Sequence, residues 1–239
     1  MIRHALFAWL ALAVPSVAQD CAPVTHRDRV FTVCTADLAT QKVTLHLNGP
    51  DGQPLGSFEA LERAVEAPIV FAMNGGMYHQ DRRPVGLYVE DGVQTAGMVT
   101  QAGPGNFGML PNGIFCVRAD RADVFETRAF AADPVACDAA TQSGPMLVID
   151  GALHPRFLPE SPSAKIRNGV GASDDGGTVY FVISDGPVTF HEMGTLFRDV
   201  LGVRNALFLD GSISRLHVPA AGRHDPGRTM GPMIAVTER

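Results

Sequence analysis

The sequence predicts an α+β fold of twisted, mostly antiparallel β-sheets with two main helices. Two observations carry this. Short apolar or alternating runs recur along the chain, punctuated by Asx-Gly pairs at residues 48–49, 91–92, 150–151 and 185–186, the chemistry of strands joined by tight turns. Only two segments space their apolar residues for a helix.

Strands are expected at 30–33, 43–47, 69–73, 85–89, 114–117, 124–126, 146–149, 179–183, 206–209, 213–218 and 233–236. The first helix is expected from a Ser57 cap to about Val65, with Phe58, Leu61 and Val65 on one face and Pro68 beyond its end. The second spans about 191–201, burying Met193, Leu196, Phe197, Val200 and Leu201, and stops at Gly202. After it, the strand 206–209 runs straight into Asp210, placing that carboxylate where a strand gives way to a loop.

At the start of the chain, Arg3 precedes an apolar run over residues 5–14 that ends in Ser16-Val17-Ala18. The run is too short to span a bilayer, and it reads as a signal peptide cleaved after Ala18. The expectation is therefore a periplasmic or secreted protein with one domain over residues 19–239. The four cysteines, Cys21, Cys34, Cys116 and Cys137, form an even set in an exported chain and read as two disulfides. Short loops favour the pairings Cys21–Cys34 and Cys116–Cys137. A zinc site is the alternative, but no Cys-x-x-Cys pair supports it. Net charge is −6 with no basic run, which argues against a nucleic-acid partner.

Four polar constellations border apolar strands. Asn74-Gly75-Gly76-Met77-Tyr78 follows the strand 69–73, and its glycines would let a ligand approach backbone amides. Gln142-Ser143-Gly144-Pro145 precedes the strand 146–149; it lacks the flanking pattern of a nucleophile elbow, so Ser143 is assigned to substrate orientation or loop capping. Lys165-Ile166-Arg167-Asn168-Gly169 offers a guanidinium and an amide suited to phosphate. Leu209-Asp210-Gly211-Ser212-Ile213-Ser214 holds the strongest catalytic candidate, with small hydroxyl residues beside the Asp. Each has a structural reading too: a Gly-rich turn, a solvated arginine, an Asp-Gly hairpin. The histidines match no zinc motif, and Glu192 fits a helix start.

In order and spacing these segments resemble the phosphodiester glycosidase family, which includes the lysosomal enzyme that uncovers mannose 6-phosphate by removing N-acetylglucosamine. The similar stretches are Asn74-Gly75-Gly76 with Tyr78, Pro84 and Gly86, Arg167 with Gly169 and Gly171, and Leu209-Asp210-Gly211 after Leu201-Gly202. Longer stretches, 142–146, 153–157, 167–171 and 205–212, look closer to bacterial periplasmic members of unassigned function. The resemblance implies a phosphodiester-glycosidase-like fold over residues 19–239 and hydrolysis of a sugar-1-phosphodiester in an envelope or extracellular glycoconjugate. It departs in two places. One branch of the family carries an Asp-Gly-Gly-Gly-Ser turn where this chain has Asp210-Gly211-Ser212-Ile213-Ser214, and that branch's acidic helix residue aligns with Met193 rather than Glu192.

Such a reaction expels a phosphate monoester, a weak base that needs little protonation, so one carboxylate plus an arginine can stand in for the usual pair of acids. On this reading Asp210, Arg167 and Asn74 are catalytic, while Gly75, Gly76, Tyr78, Ser143, Asn168 and Ser212 bind substrate. No cofactor is required, although Asp174-Asp175 and Asp210 are candidate calcium ligands. The expected partner is a sugar-phosphate-containing small molecule or glycan. A noncatalytic module binding envelope glycans or anionic polymers is the competing reading, weakened by few exposed aromatics. A structural export factor would leave the four constellations scattered.

Overall fold

Alternating runs form strands with one buried face and continuous apolar runs form strands buried on both, and the chain solves the burial of these faces with three sheets. The computed structural model describes residues 20–239; the signal-peptide expectation lies outside them. In chain order the elements are β1 (Cys21–His26), β2 (Arg29–Asp37), β3 (Gln41–His46), α1 (Phe58–Ala64), β4 (Ile69–Asn74), β5 (Tyr88–Glu90), β6 (Val93–Ala96), β7 (Gly113–Arg118) and β8 (Arg121–Glu126). There follow α2 (Thr127–Ala132), β9 (Ala139–Ser143), β10 (Met146–Ile149), β11 (Ala152–Leu153), β12 (Asn168–Ala172), β13 (Thr178–Ser184), α3 (Phe190–Thr195), β14 (Ala206–Phe208), β15 (Leu216–Val218), β16 (Arg223–His224) and β17 (Met233–Glu238).

The seven-stranded sheet runs β1-β2-β13-β12-β14-β10-β11, the second β16-β15-β4-β17-β3 and the third β6-β5-β9-β7-β8. Every pairing between these strands is antiparallel. The sheets meet at three fully buried phenylalanines, one from each. Phe181 of β13 lies edge-on to Phe71 of β4 at 5.5 Å and to Phe115 of β7 at 5.9 Å. Each buried ring contributes about 1.5–3 kcal/mol of transfer free energy, and each edge-to-face pair about 0.5–1.5 kcal/mol more.

Two of the four Asx-Gly pairs form the expected hairpin turns, while Asn48-Gly49 and Asp185-Gly186 each lie between a strand and a helix. Asp91-Gly92 and Asp150-Gly151 both hold two successive residues at positive φ, the mirror-image turn that suits a right-twisted hairpin. Ser57 caps α1 by accepting the Ala60 N–H at 3.2 Å. Thr189 and Glu192 form a reciprocal capping box at the start of α3, so Glu192 has the structural role read from its position. It also meets Arg29 at 2.9 Å.

Several elements depart from expectation for identifiable reasons. The second helix widens to π-type over Leu196–Val200, and the added residue shifts the helix phase. Val200 therefore turns outward, 48% exposed, while Met193, Leu196 and Phe197 stay buried. The strand expected from 85 begins only at Tyr88, because the Leu87 N–H is taken by the Gln142 side chain at 3.1 Å. The strand expected from 213 begins only at Leu216, because the Asp210 loop continues to that point. Strands β9 and β12 are not among the expected strands. Their sequences, Ala-Ala-Thr-Gln-Ser and Asn-Gly-Val-Gly-Ala, carry little apolar periodicity because small residues buried on both faces suffice there. At Gly169 of β12 an added Cβ would stand 2.7 Å from the Leu207 carbonyl oxygen of β14.

Both expected disulfides are present, Cys21–Cys34 tying β1 to β2 and Cys116–Cys137 tying β7 to the segment before β9; they suit an oxidising compartment. No helix among the described residues is long and apolar enough to cross a membrane. Replacing Cys116 and Cys137 together by Ala should lower unfolding stability by about 2–4 kcal/mol through the freer unfolded chain. Urea titration checks this, and a change under about 0.5 kcal/mol would contradict the entropic account.

Candidate active site

Strand direction brings the polar constellations together. Asn74 ends β4, Ser143 ends β9, Asn168 begins β12 and Leu209-Asp210 follow β14. Because β12 and β14 are antiparallel, the start of one lies beside the end of the other. All three sheets therefore deliver a polar residue to one rim, and the scattering expected of a structural factor is not seen.

At the centre is a buried amide pair. Asn168 donates its Nδ2 to Asn74 Oδ1 at 2.9 Å, and its Oδ1 accepts the Asp210 N–H at 3.1 Å. Asn74 Oδ1 also accepts the Arg215 N–H at 2.9 Å. Ser143 donates its hydroxyl to the Leu209 carbonyl at 2.5 Å, and Ser214 Oγ lies 2.5 Å from the Asp210 carbonyl. The peptide groups before and after Asp210 are thus both held by hydrogen bonds, which is preorganisation built from neighbouring strands.

The half-buried Asp210 side chain accepts the Ser212 N–H through Oδ1 at 2.8 Å. Burial raises its pKa above the ordinary carboxylate value, against the lowering effect of the Ser212 and Ile213 amides. Tyr78 lies close enough to feel that charge. Burial, then Asp210, raises the phenol's pKa, and its hydroxyl donates to the Thr229 carbonyl at 3.2 Å.

Arg167 is the largest departure from the ordinary behaviour of an arginine. It is 1% exposed, yet no carboxylate among the described residues pairs with it within 4 Å. Its Nε donates to the Val188 carbonyl at 2.9 Å and its Nη2 to the Ser163 carbonyl at 3.0 Å. The guanidinium lies over the Phe190 ring at 3.7 Å. Behind it Phe157 stacks on Phe190 at 5.0 Å and His154 on Phe157 at 4.9 Å, which gives the 153–157 segment a role as a backing column. Loss of hydration lowers the Arg167 pKa to about 10, so it remains a cation at neutral pH. A Cβ built on Gly211 would lie 3.6 Å from Nη1, so this nitrogen borders the Asp210 loop.

The site differs from the sequence reading in how its members act. Asn74 and Asn168 are buried, 1% and 0% exposed, and their amides are bonded to each other, to backbone and to Ser214 Oγ. Ser143, 0% exposed, gives its hydroxyl to the Leu209 carbonyl. The glycine amides are also occupied, Gly75 N–H by the Pro232 carbonyl at 2.7 Å and Gly76 N–H by Thr141 Oγ1 at 3.2 Å. The two glycines are there for packing. A Cβ at Gly76 would lie 2.4 Å from Thr141 Oγ1. Ser212 is exposed and Tyr78 and Asp210 partly so, and these three face outward at the rim, with the enclosed Arg167 bordering the Asp210 loop. Asp174-Asp175 lie between β12 and β13 at the end of β12 remote from Asn168, where Asp175 bonds Ser173 and Gly177. They do not join Asp210 as one cation site.

Two residues escaped the sequence reading. Gly211 packs closely, since a Cβ there would stand 3.0 Å from the Phe208 ring and 3.6 Å from Nη1 of Arg167; it falls in the Leu209-Asp210-Gly211 motif, which gave it no role of its own. Arg215 is 6% exposed, directs Nε at the Asp225 carbonyl at 2.8 Å and Nη1 at the Arg228 carbonyl at 3.0 Å, and adds positive charge near Tyr78. Within an expected strand it carried no signal. Two concavities are lined by none of the rim residues. One of about 410 Å³ is lined by Lys42, Arg118 and Arg239 among others, and one of about 430 Å³ by Tyr88 and Glu90. The rim is identified by its chemistry instead of its depth.

The chain is 31% identical over 219 residues to a protein of Escherichia coli named uncharacterized protein YigE, covering 91% of this chain and 85% of that one. Among solved structures it is similar to the catalytic domain of zebrafish N-acetylglucosamine-1-phosphodiester alpha-N-acetylglucosaminidase auto-inhibited by its pro-peptide. The TM-score is 0.61 at 16% identity, over 92% of this chain and 82% of that one. A putative exported protein of Burkholderia pseudomallei matches with a TM-score of 0.58 at 13% identity, over 87% and 74% of the two chains. These low-identity matches establish a shared fold. The family described as phosphodiester glycosidase matches residues 67–237, a span that holds every residue of the rim, and the chain belongs to that family.

Proposed function

We propose that this protein is an exported hydrolase that cleaves the glycosidic bond of a sugar-1-phosphodiester in an envelope or extracellular glycoconjugate. The observation that carries the proposal is the buried, uncompensated Arg167 beside the Asp210 loop. A buried cation without a counter-ion is costly, and a fold that retains one beside a clamped carboxylate has a use for an anion there. The phosphodiester supplies it. Arg167 Nη1 takes a phosphate oxygen and stabilises the negative charge that grows on the departing phosphate monoester. Asp210 faces the anomeric carbon, where it stabilises the oxocarbenium-like transition state or takes a proton from the attacking water. Tyr78 and Ser212 contact sugar hydroxyls, and Asn74, Asn168, Ser143 and Ser214 hold the loop in place.

Asp210→Asn should reduce hydrolysis of a sugar-1-phosphodiester by about 10² to 10⁴ in kcat, measured as release of reducing sugar and phosphate monoester by folded, monodisperse protein. Near-wild-type turnover would reject Asp210. If the wild type is stabilised by these compounds but never cleaves them, the protein is a binder.

The same group sets the pH response. Asp210 acts ionised and its pKa is raised by burial, so kcat/KM should fall on acidification through a value above the ordinary aspartate range. The sign for stability is opposite. A raised folded pKa means the folded state holds its proton more tightly, so stability from this group is present at low pH and lost as pH rises through the folded value. Asp210→Asn should therefore melt at or above the wild-type temperature at pH 7, a stability gained at the expense of activity. An acid limb at or below pH 3.9 would contradict the assignment.

Arg167→Lys keeps the charge but loses the planar fork. Turnover should fall by about 10²-fold or more, and calorimetric binding of inorganic phosphate should weaken about tenfold. Unchanged phosphate affinity would remove Arg167 from the site.

A further inference from the structure

Apart from the rim, β15 and β16 carry a second cluster. His217 and His224 are directly opposed across these two antiparallel strands. Their Nδ1 atoms face each other at 3.1 Å. The outer nitrogen of each ring is engaged by α1, His217 Nε2 to Glu62 Oε1 at 3.0 Å and His224 Nε2 to Glu59 Oε1 at 2.9 Å. Glu59 and Glu62 are three apart on one face of α1. Between them the Phe58 ring stacks on His217 at 5.3 Å and meets His224 edge-on at 5.8 Å.

A carboxylate only accepts hydrogen bonds, so each Nε2 carries its hydrogen and each Nδ1 turns a lone pair toward the other. Two lone pairs at that separation repel unless a cation lies between them. We propose that His217 and His224 form a two-imidazole site for a divalent transition-metal ion such as Zn²⁺.

Three features favour a metal ion over a shared proton. With metal–nitrogen bonds of about 2.0–2.1 Å, the 3.1 Å separation corresponds to a ligand angle of about 100°, within reach of tetrahedral coordination. A carboxylate on the far nitrogen of each imidazole is the arrangement that orients metal-bound histidines and raises their basicity. The cluster also sets two carboxylates against the two rings, and no arginine hydrogen-bonds to it: Arg223 binds Asp185 and Asp225, while Arg215 donates to backbone carbonyls with its guanidinium over the Phe58 ring at 5.2 Å. Imidazole ligands select zinc, copper or nickel rather than calcium. No third His, Cys, Asp or Glu among the described residues completes a cage, and the His224 side chain is 34% exposed, so water fills the remaining positions. The ion would pin the hairpin that supplies Arg215 and Asp225, independently of any hydrolytic activity.

The test is calorimetric titration of tag-free, chelator-stripped protein with ZnCl₂ at pH 7. One Zn²⁺ per chain is expected, with affinity falling at least about tenfold in His224→Gln and about 10- to 100-fold in Glu62→Gln. Both residues are partly exposed, so these variants keep the fold, which the metal-free melting temperature verifies. Zn²⁺ should raise the melting temperature of the wild type and not of His224→Gln. Absence of uptake by the wild type overturns the proposal and leaves a shared proton alone between the rings. Uptake that His224→Gln leaves unchanged also overturns it, since the ion then binds elsewhere.

Discussion

The hydrogen bonds between Asn74 and Asn168 join two of the three sheets that form the site, and the functional rim depends on them. Each amide is fully buried, so each must be satisfied from within the protein. The partners available are the opposite amide and the backbone N–H groups of Asp210 and Arg215. That requirement locks the ends of β4, β12 and β14 in one register. Loss of either amide would strand a buried donor or acceptor at a cost of about 1–3 kcal/mol, and the Asp210 loop would lose its anchor at the same time. Stability and site geometry are therefore properties of the same few bonds.

Arg167 shows the opposite relation. Its burial is not fully compensated. Two carbonyls and the face of Phe190 satisfy part of the guanidinium, while one nitrogen is left bordering the Asp210 loop. Cation–π contact with a desolvated ring is worth about 2 kcal/mol, less than the several kcal/mol needed to remove such an ion from water. The fold tolerates this residual strain at the rim, next to a carboxylate whose own ionisation is opposed by burial. Opposite charges held apart, each short of solvation, form a setting that a zwitterionic or anionic transition state can neutralise.

Much of the architecture was legible because it follows from local chemistry. Asp91-Gly92 and Asp150-Gly151 turn, Ser57 caps and Gly202 stops a helix, whatever surrounds them. A strand with one apolar face, such as β3, announces itself by alternation, and β4 and β17 by continuous apolar runs. β9 and β12 did not, because a strand enclosed on both faces by close neighbours needs small residues and not an alternating pattern. Ala139-Ala140 and Gly169-Val170-Gly171 look like loop until their neighbours are known. Val200 was misplaced for a related reason. The π-type widening that turns it outward is a response to packing and leaves no mark in residue spacing.

The sequence by itself determined the secondary-structure class, the family and the segments that would carry chemistry, and favoured the cysteine pairing without fixing it, since each rests on residue type and the spacing of segments. Only the tertiary structure decided the roles within those segments. Whether Asn168 touches a ligand or a buried amide, whether the amides of Gly75 and Gly76 are free, and whether Arg167 is solvated or enclosed all depend on which strand ends meet. Those meetings are long-range contacts between sheets, set by the burial of Phe71, Phe115 and Phe181 at their common junction, and no local pattern encodes them.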